Sequence, residues 1–548
     1  MQYNTLDAAA YAARLRMVIA ETESLHTHAQ DVGDGKATIG WGYTFNRNNN
    51  EAIWRASGIS LTNDEWRQIR AIDAATGNPA KTRLGLAFAR QLNADEANDL
   101  LVASSAEYAV HADRLGMPPS RERLALTSVT YNRGVHQMRD HPLLDAIDSG
   151  NRAEAWYQLR YNCWGSNTGA EAGLRKRRLV EAQVFGLYDD PANVTVDEAK
   201  ETMQMLTLHR DHIQTVEGRW GEMLTGQSGT RDLRALANRD YPAVTAEFGQ
   251  APTIRQALEP ARLAWLEHLR QTHPEIADEL RDDRFGVESI YVDPGRDLVE
   301  DRNHTATAKP DPDHAATLDA PIRRTEPARD DLMVGLGGDD TLKSGHGDDV
   351  LISGGGRDRL EGGAGMDLYV VEAGATIVDR DGQGKVFWGG KALDGSAGQG
   401  FAYRMDGTNL RVSNPQGESI TIENYQGGLG ITLSPPQKAS LQPASSPHAL
   451  AALGESLSMA GYSPDEQGQL AAAWAATLAK KGLGEPDKLM LSRDGQRIGA
   501  LHGGVLTEMT VADALKPMPA LTADGTVIEP SIVAAKAAPV AVETARSM

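Results

Sequence analysis

The sequence predicts a multidomain protein with an α+β domain at its amino terminus, a helical connector, a parallel β-roll with a β extension, and a small α/β module. The chain has 548 residues, which at roughly 100–200 residues per domain corresponds to about three or four domains. Helical patterning dominates the first part, and a nine-residue repeat rich in glycine and aspartate follows. Aromatic residues make up only 5% of the chain, whereas 55 residues are glycine. Part of the chain is therefore not ordinary globular core.

Shifts in composition mark the predicted boundaries. Residues 301–330 are rich in Pro, Thr and Asp without periodicity, which is typical of a linker. Before it, Thr195-x-x-Glu198 and Thr253-x-x-Gln256 match capping boxes and so predict helices. The predicted parts are the α+β domain at 1–190, the helical connector at 191–300, the linker at 301–330, the β region at 331–433, a second linker at 434–450, the α/β module at 451–520 and a disordered tail at 521–548.

Charge and cysteine content exclude several classes of protein. The chain carries 55 Lys and Arg against 75 Asp and Glu, a formal net charge of -20, which argues against non-specific nucleic-acid binding. Its single cysteine, Cys163, cannot form an internal disulfide, and no apolar run is long enough to span a membrane. Asp7, Arg14 and Arg16 interrupt the segment where a signal peptide would have its apolar core. We therefore expect a protein made in a bacterial cytoplasm and secreted without an amino-terminal signal peptide.

The repeat reads LGGDDTLKS, GHGDDVLIS, GGGRDRLEG and GAGMDLYVV when written in register. Glycine in one column tolerates a positive φ at a turn, and the apolar column predicts short strands that point inward. Carboxylate and carbonyl oxygens gathered by stacked turns are the ligands that Ca²⁺ prefers. Three columns keep the nine-residue phase: Gly338, Gly347, Gly356 and Gly365; Asp340, Asp349, Asp358 and Asp367; and Leu342, Leu351, Leu360 and Tyr369.

This pattern resembles the calcium-binding nonapeptide of RTX proteins. The resemblance implies a parallel β-roll in which those glycines and aspartates bind Ca²⁺, each site joining aspartates two repeats apart, such as Asp340 and Asp358. The first repeat has Leu336 where a second glycine belongs, so we expect about one to three bound ions. Without the cation, repulsion between carboxylates should leave the coil disordered. A flexible glycine linker with incidental acidic residues is the alternative.

Two further segments, TIVDRDGQGKVFWGG and LRVSNPQGESITIENYQGGLGITL, follow the repeat. Apolar and polar residues alternate along them between turns that contain glycine, which predicts β-strands. They resemble the β extension that caps RTX rolls, so we expect them to give the last coil a neighbour to pack against.

The strongest indication of catalytic activity is the segment ESLHTHAQDVGDGKATIGWGY, residues 23–43. A predicted amphipathic helix precedes it, which places Glu23 at or near a helix end. Asp34-Gly35 is typical of a two-residue hairpin turn, and such a turn places Asp31 opposite Thr38. Glycoside hydrolysis needs a protonated acid at the leaving oxygen and a second group that holds water or stabilises an oxocarbenium-like state. The pattern predicts such a pair; an exposed helix-end carboxylate beside an ordinary hairpin is the alternative.

This segment resembles the motif of phage-type lysozymes, which is a Glu, eight residues, an Asp or Cys, five residues and a Thr, leading into a TIGxGH-like strand. Here the strand reads TIGWGY, with Tyr43 where His is usual, and Glu23 is at the family's distance from Thr38. Strict spacing places Val32 at the middle position, one residue after Asp31. The resemblance implies that Glu23, Asp31 and Thr38 are the catalytic residues.

Other landmarks extend the resemblance over 1–190. The stretch ERLALTSVTYNRG, which contains Asn132, is similar to the family's central helix, and GLRKRRLVEAQVFGLY is similar to its terminal helix. From the resemblance we expect Tyr43 and Asn132 to bind substrate. Asp34 and Glu21 remain alternatives for the second carboxylate.

Two features have alternative interpretations. The basic run Arg175-Lys176-Arg177-Arg178 could line a glycan cleft, but we expect a solvated face with one structural arginine. Cys163 could be a nucleophile, but no histidine is paired with it in the sequence, so we expect a small buried side chain. The 14 histidines show no spacing typical of a metal site.

In the mechanism that the resemblance implies, Glu23 donates a proton to the glycosidic oxygen between N-acetylmuramic acid and N-acetylglucosamine. Asp31 and Thr38 would then orient the attacking water. A lytic transglycosylase is the nearest chemical alternative, since Glu23-Ser24 resembles the Glu-Ser pair of those enzymes. A non-catalytic peptidoglycan-binding protein is another, since the second carboxylate is displaced by one residue.

Residues 451–520 bear on how the protein reaches peptidoglycan. A predicted helix runs into the segments GLGEPDKL and IGALHG, which resemble degenerate forms of two segments in the C-terminal recognition domain of antibacterial type IV secretion effectors from xanthomonad-like bacteria. The resemblance implies a secretion-system coupling protein and a cognate immunity protein as partners, and action in the periplasm of target bacteria. Type I secretion, as in other RTX proteins, and an unspecialised α/β module are the alternatives.

Overall fold

The computed structural model forms two compact units, the first comprising residues 1–372 and 383–392 and the second comprising residues 373–382 and 393–548. Much of the predicted second linker and α/β module, and all of the predicted tail, lie outside the described residues. The residues described are 1–296, 298–300, 305–307, 314–320, 328–433, 444–445, 488–491, 497–502 and 505–510.

The first unit begins with α1 (Ala8–Thr22), whose first turn is capped by the Asp7 side chain accepting from the amide of Ala10 at 2.7 Å. An antiparallel sheet follows, made of β1 (His26–Gln30), β2 (Thr38–Gly40) and β3 (Tyr43–Thr44). Ten helices complete this region: α2 (Asn50–Ala56), α3 (Asn63–Ala74), α4 (Asn78–Leu86), α5 (Ala94–Ser105), α6 (Val110–Arg114), α7 (Arg121–Arg133), α8 (Val135–Met138), α9 (Pro142–Asp148), α10 (Arg152–Tyr157) and α11 (Glu171–Phe185).

Two apolar cores lie on either side of the β2–β3 loop. The smaller one surrounds Trp54, whose ring stacks on Phe45 with centroids 6.1 Å apart. The larger one contains the apolar faces of α1, α7 and α11. Helix α5 gives Leu100 to the smaller core and Leu101 to the larger one, and Trp41 packs against both. The segment between Glu23 and Trp41 therefore joins two separately packed lobes, the arrangement in which clefts form.

The predicted helical connector packs directly on the amino-terminal region. Its helices are α12 (Val196–Trp220), α13 (Leu233–Asp240), α14 (Pro242–Phe248) and α15 (Ile254–Thr272). Both predicted capping boxes, at Thr195 and Thr253, are confirmed. Leu206 of α12 and Leu258 of α15 belong to the same apolar core as α1 and α7. This part of the chain is therefore a second layer on the amino-terminal domain and not a spacer.

Parallel strands follow and form two stacks. Within the repeat, each strand pairs with strands that lie 18 residues before and after it in the sequence. For example, Val350 pairs with Leu332 and with Leu368, so two nine-residue repeats make one coil. The first stack contains β4 (Ile290–Val292), β8 (Leu332–Val334), β10 (Val350–Ile352), β12 (Asp367–Val371) and β14 (Gly384–Trp388), with β15 (Lys391–Ala392) antiparallel at its edge. The second contains β7 (Thr317–Asp319), β9 (Thr341–His346) and β11 (Arg359–Ala364), and β5 (Leu298–Glu300) and β6 (Thr305–Thr307) form a separate pair.

These strands correct two predicted boundaries. Strand β4 lies inside the predicted helical connector, and β7 lies inside the predicted linker. Both were missed because neither carries the glycine and aspartate columns; each pairs with a later strand of its stack and also buries apolar side chains, such as Ile290 and Leu318. The inward direction of the apolar column is confirmed, since Leu342, Leu351, Leu360 and Tyr369 are all fully buried.

The second unit contains most of the predicted β extension, whereas β14 lies in the first unit. Strands β16 (Ala402–Asp406), β17 (Asn409–Ser413) and β18 (Ser419–Glu423) form an antiparallel meander, and β13 (Thr376–Val378) pairs in parallel with β18. A further antiparallel sheet consists of β19 (Ala444–Ser445), β20 (Lys488–Leu491), β21 (Arg497–His502) and β22 (Val505–Thr510). Among the described residues, no helix combines the length and the apolar character that crossing a membrane requires.

Candidate active site

Glu23 is the C-cap of α1, where the backbone leaves the helix for an extended conformation (φ -117°, ψ 159°). Its amide still donates to the carbonyl oxygen of Ile19 at 2.9 Å, so the helix fixes the position of its Cα. Its side chain is 24% exposed and forms an ion pair with Arg177 of α11. The carboxylate is thus held at a defined position but remains accessible, as the predicted acid requires.

Arg177 is buried and joins Glu23 to the interior of the domain. Its Nε donates to Glu181 Oε1 at 2.9 Å, and its Nη2 donates to the carbonyl oxygen of Ser128 at 3.3 Å. Burial alone would lower the pKa of Arg177, but the neighbouring carboxylates of Glu23 and Glu181 raise it above its ordinary value. The guanidinium therefore stays charged and provides a fixed positive partner for Glu23.

The β2–β3 loop packs against the other side of Glu23. Tyr131 of α7 donates its hydroxyl proton to the carbonyl oxygen of Trp41 at 2.8 Å. Gly42 has a φ of +93°, and a Cβ atom there would lie 3.6 Å from Glu23 Oε2 and 3.5 Å from the Tyr131 ring. Those distances are ordinary van der Waals contacts, so it is the positive φ that favours glycine at this position, and the loop backbone lies beside both residues. One carboxylate oxygen of Glu23 faces Arg177, and the other faces this loop.

The register of the β1–β2 hairpin differs from the prediction. Gln30 lies opposite Thr38 and His26 lies opposite Gly40, so an irregularity in β1 shifts the register between these two pairs. The predicted pairing of Asp31 with Thr38 is therefore wrong. Asp31 begins the loop: its Oδ1 accepts from the amides of Gly33 at 2.8 Å and Gly35 at 3.0 Å. This local capping makes a wider loop than the two-residue turn on which the prediction depended.

The loop places Asp31 at an open cavity. The cavity has a volume of about 500 Å³ and is lined by Asp31, Gly35 and residues along the whole length of α4, from Asn78 to Leu86. Thr82 of α4 donates its hydroxyl proton to the carbonyl oxygen of Gly35 at 2.9 Å, which ties the loop to that helix. Val32, at the position that strict motif spacing selects, is 50% exposed. Asp31 is therefore an exposed carboxylate on an anchored loop.

The remaining candidates differ in their surroundings. Thr38 is buried, and its Oγ1 has no hydrogen-bond partner among the described residues. Asp34 accepts from the amide of Lys36 at 3.1 Å and pairs with the ammonium group of that residue at 3.5 Å. The Glu21 carboxylate accepts from the amides of Ala243 and Val244 at 2.8 and 2.9 Å. Glu21 is therefore occupied, which leaves Asp31 and Asp34 as candidates for the second carboxylate.

The two expected substrate-binding residues have different environments. Tyr43 is only 2% exposed, and its hydroxyl donates to Asn50 Oδ1 at 2.6 Å. It is a core residue of the smaller lobe because β3 turns its side chain toward Trp54, so the structure does not support the substrate-binding role. Asn132 is half-buried at the end of α7 and accepts a hydrogen bond from Arg178.

The basic run in α11 is mostly internal, contrary to the expected solvated face. Arg175, Arg177 and Arg178 are buried, and Lys176 is the most exposed of the four. Each buried guanidinium has a carboxylate partner on the same helix: Glu171 for Arg175, and Glu181 for the other two. Buried charges need such partners, and these were not apparent from the composition of the run alone.

Cys163 is buried, as expected. Burial raises the pKa of its thiol to about 12. His141 Nε2 does lie 3.7 Å from Cys163 Sγ, a proximity that sequence spacing did not reveal. A thiol with a raised pKa is a poor nucleophile, so the pair is structural.

The aspartate column of the repeat forms a hydrogen-bonded ladder. Asp349 Oδ1 accepts from the amide of Asp331 at 2.7 Å, and Asp358 Oδ1 accepts from the amide of Asp340 at 2.9 Å, each across 18 residues. The Oδ2 atoms of Asp340, Asp349 and Asp358 are buried and have no hydrogen-bond partner in the described part of the chain. Burial raises the pKa of Asp340 and of Asp349 to about 7. Buried, unsatisfied carboxylate oxygens of this kind fit a hard cation.

The glycine columns bring carbonyl groups into the same turns. A Cβ atom at Gly356 would lie 1.8 Å from the carbonyl oxygen of Gly338, one coil earlier, and one at Gly365 would lie 1.9 Å from that of Gly347. Within the described residues, no three His, Cys, Asp or Glu side chains are grouped closely enough to hold a metal. A cation here would therefore need carbonyl oxygens in addition to the aspartates, which the residues present can provide.

Comparison with known proteins agrees with the geometry around Glu23. Residues 20–181 match the phage lysozyme family model, and the match includes both Glu23 and Arg177. No curated protein matches the chain. Residues 20–181 are thus a glycoside hydrolase domain of the lysozyme type, and its family acts on peptidoglycan.

Proposed function

We propose that this protein is a muramidase that hydrolyses the β-1,4 bond between N-acetylmuramic acid and N-acetylglucosamine in peptidoglycan, with Glu23 as the general acid. The observation that carries the proposal is the position of Glu23 inside the region of the phage lysozyme match, at the end of α1, between Arg177 and the β2–β3 loop. Among the candidate carboxylates, Glu23 combines partial exposure with a buried cationic partner.

The proposed chemistry uses the two oxygens of Glu23 differently. Oε1 accepts from Arg177, so Oε2, on the side of Gly42, carries the proton to the glycosidic oxygen. Arg177 fixes the carboxylate and, once the proton has been transferred, stabilises its negative charge. Positive charge develops on the sugar as the bond breaks, and a water completes the reaction.

The second group would hold that water. Asp31 Oδ1 accepts from two loop amides, which orients the carboxylate of this exposed residue. Thr38, on β2, contributes a buried hydroxyl oxygen that has no hydrogen-bond partner among the described residues. We assign water orientation to Asp31 and Thr38.

The test is Glu23→Gln, assayed by release of reducing ends from purified peptidoglycan. We expect activity to be lost with the circular dichroism spectrum and melting temperature retained, because Gln can still accept from Arg177. Glu267→Gln, at an exposed position on α15, is the matched control and should be fully active. Activity in Glu23→Gln would contradict the assignment.

A lytic transglycosylase is the second candidate, favoured by one observation: Asp31 does not lie opposite Thr38. Such an enzyme needs only one carboxylate, because the substrate's own hydroxyl replaces water. Mass spectrometry of the products separates the two reactions, since hydrolysis gives reducing ends and transglycosylation gives 1,6-anhydro ends. A non-catalytic peptidoglycan-binding protein would release neither product and would leave no clearing in a zymogram.

We also propose that the repeat region binds Ca²⁺ and that its folding depends on the ion. Support comes from the buried Oδ2 atoms of Asp340, Asp349 and Asp358, which have no hydrogen-bond partner within the described part of the chain. The proposed ligands are the carboxylates of the aspartate column and the carbonyl oxygens of the glycine column: Gly338, Asp340, Gly347, Asp349, Gly356, Asp358, Gly365 and Asp367. Calcium titration should increase the β signal in circular dichroism, and magnesium at the same concentration should not. A spectrum unchanged by calcium would reject the proposal.

The proposed biological role is that of a secreted antibacterial effector acting in the periplasm of target bacteria. Its support is the resemblance of residues 451–520 to a secretion-recognition domain, in a segment that lies mostly outside the described residues. Deleting 451–548 should abolish delivery to rival cells without affecting hydrolysis of purified peptidoglycan. A gene for a small lipoprotein beside this one would identify the cognate immunity protein. Export that survives the deletion would favour type I secretion.

A further inference from the structure

Helices α13 and α14 form a compact hairpin, residues 233–248, that contacts both helices of the Glu23–Arg177 pair. We call it the clamp hairpin. It lies in the predicted connector, beyond the region that matches the phage lysozyme family. It packs against α1, which ends at Glu23, and against α11, which carries Arg177. Its buried residues Ala237, Tyr241 and Val244 belong to the same apolar core as those of α1 and α11. In addition, it makes polar contacts with each helix at two points.

On α1, the two contact points are Arg14 and Glu21. Arg14 Nη2 pairs with Glu247 of the clamp hairpin at 2.6 Å. The Glu21 carboxylate accepts from the amides of Ala243 and Val244, in the first turn of α14, at 2.8 and 2.9 Å. Arg14 and Glu21 are seven residues apart and therefore lie about two turns apart on one face of the helix.

On α11, the two contact points are Lys176 and Gln183. Lys176 Nζ pairs with Asp240 Oδ2 at 2.7 Å and lies 4.9 Å from the centre of the Tyr241 ring. Gln183 Nε2 donates to the carbonyl oxygen of Phe248 at 2.8 Å. These two residues are also seven positions apart. The same hairpin thus contacts one face of each helix over about two turns.

We infer that the clamp hairpin is a positioning element for the active site: it fixes the rotation and the separation of α1 and α11, and with them the Glu23–Arg177 pair. Glu21 is two residues before Glu23, and Lys176 is adjacent to Arg177. A small rotation of α1 or α11 displaces the end of a side chain further than it displaces the helix axis. Such a rotation would therefore move the carboxylate of Glu23 or the guanidinium of Arg177. The inference rests on the proposed role of Glu23 as the acid.

Kinetics on peptidoglycan fragments provide the first test. Glu21→Ala and Lys176→Met remove one contact point on each helix, and we expect kcat to fall about tenfold or more, since small misplacements of catalytic groups are costly, with KM within about twofold. The conservative variants Glu21→Gln and Lys176→Arg keep an acceptor and a cation respectively and should recover most of kcat. Arg234→Met is the matched control: it breaks the ion pair with Asp232, the residue that precedes α13, and leaves the four contact points on α1 and α11 intact, so kcat should be unchanged.

Hydrogen exchange provides a second test that does not depend on activity. The amide of Glu23 donates to Ile19, and its protection reports the order of the end of α1. In Glu21→Ala, the amide hydrogen of Glu23 should exchange at least tenfold faster than in the wild type, while the exchange rates of the α7 amides should be unchanged. Unchanged protection together with unchanged kcat in folded Glu21→Ala and Lys176→Met would overturn the inference. An inactive wild type would instead reject the proposed function, and the exchange experiment would still decide the role of the clamp hairpin.

Discussion

Glu23 and Arg177 are joined by an ion pair although 154 residues of chain separate them. Glu23 is the C-cap residue of α1, and Arg177 is a buried residue in the middle of α11. The pair connects an accessible carboxylate to an interior network that contains Glu181 and Ser128. Because the cation is fixed by these further contacts, the position of the acid is set by the packing of the whole domain.

Replacing Arg177 should therefore affect activity and stability together. In Arg177→Met, the Glu181 carboxylate loses one of its two guanidinium partners, and breaking such a buried pair costs about 3 kcal/mol or more in the free energy of unfolding. We expect kcat to fall by about 100-fold, as when a preorganised electrostatic contact is removed. Thermal unfolding and steady-state kinetics on glycan fragments measure the two effects.

A milder variant separates the two effects. Arg177→Lys keeps the charge but loses the fork of donors that reaches Glu23 and Glu181 together, so its kcat should be intermediate. Arg175→Lys on the same helix is the control, since Arg175 pairs with Glu171 and not with Glu23. Equal losses of kcat in the two lysine variants would show that Arg177 acts only through stability.

Asp31 and Asp34 can be distinguished because both cap turns within one loop. Asn retains the oxygen that accepts from the loop amides, so Asp31→Asn and Asp34→Asn should both keep the fold to within about 1 kcal/mol. We expect Asp31→Asn to lower the rate of peptidoglycan hydrolysis by at least about tenfold, because it removes a charge next to the proposed water. Asp34→Asn should leave the rate unchanged. The opposite result would assign the second carboxylate to Asp34, and no change in either variant would favour the single-acid transglycosylase reaction.

The sequence predicted those features of the fold that short-range patterns determine. The capping boxes at Thr195 and Thr253 depend on residues three apart, and both formed. The buried apolar column depends on a nine-residue phase, and Leu342 and Leu351 are fully buried. By contrast, β7 joins its stack through pairing with β9, 24 residues later in the chain. Its alternating buried residues, Ala316, Leu318 and Ala320, span too short a stretch to give a clear periodicity, and the surrounding Pro, Thr and Asp residues made the segment resemble a linker.

The candidate site likewise combines features that short-range sequence patterns predict with features that only the fold determines. Glu23 could be identified from its place at a helix end and from its spacing to Thr38. Its partner could not, because Arg177 stands in a run of four basic residues and only the fold determines which of them turns inward. The register of Asp31 was missed because its side chain binds the amides of Gly33 and Gly35. That contact widens the loop and overrides the Asp-Gly turn preference.

Glycines of the third repeat should differ in their tolerance of substitution. At Gly356, with φ +131°, a Cβ atom would lie 1.8 Å from the carbonyl oxygen of Gly338, whereas at Gly355 it would meet no atom of the described residues within 4 Å. Gly356→Ala should therefore destabilise the coil by about 1–3 kcal/mol or more. Gly355→Ala, its matched control, should be neutral or stabilising by up to about 1 kcal/mol. Guanidinium unfolding followed by circular dichroism, with calcium present, measures both; equal losses would contradict the close carbonyl stacking.

His212 of α12 should make the helical layer sensitive to acid. Its Nδ1 lies 2.6 Å from the Tyr157 hydroxyl oxygen, and burial, together with the positive charge of Arg175 and the neighbouring His209, lowers its pKa to about 4. The unfolded chain should protonate it near pH 6.5. Because the pKa is lower in the folded state, its stabilising contribution is complete above pH 6.5 and is lost as the pH falls toward 4. The full shift corresponds to about 3 kcal/mol at most.

The measurement is the free energy of unfolding at pH 7 and at pH 4.5, for the wild type and for His212→Gln. The glutamine does not titrate and can still accept from Tyr157, so the loss of stability on acidification should be smaller by about 1–2 kcal/mol in the variant. His136→Gln, at an exposed position on α8, should follow the wild type at both pH values. If His212→Gln loses as much stability as the wild type, His212 does not account for the acid sensitivity, and the carboxylates that pair with buried arginines become the next groups to test.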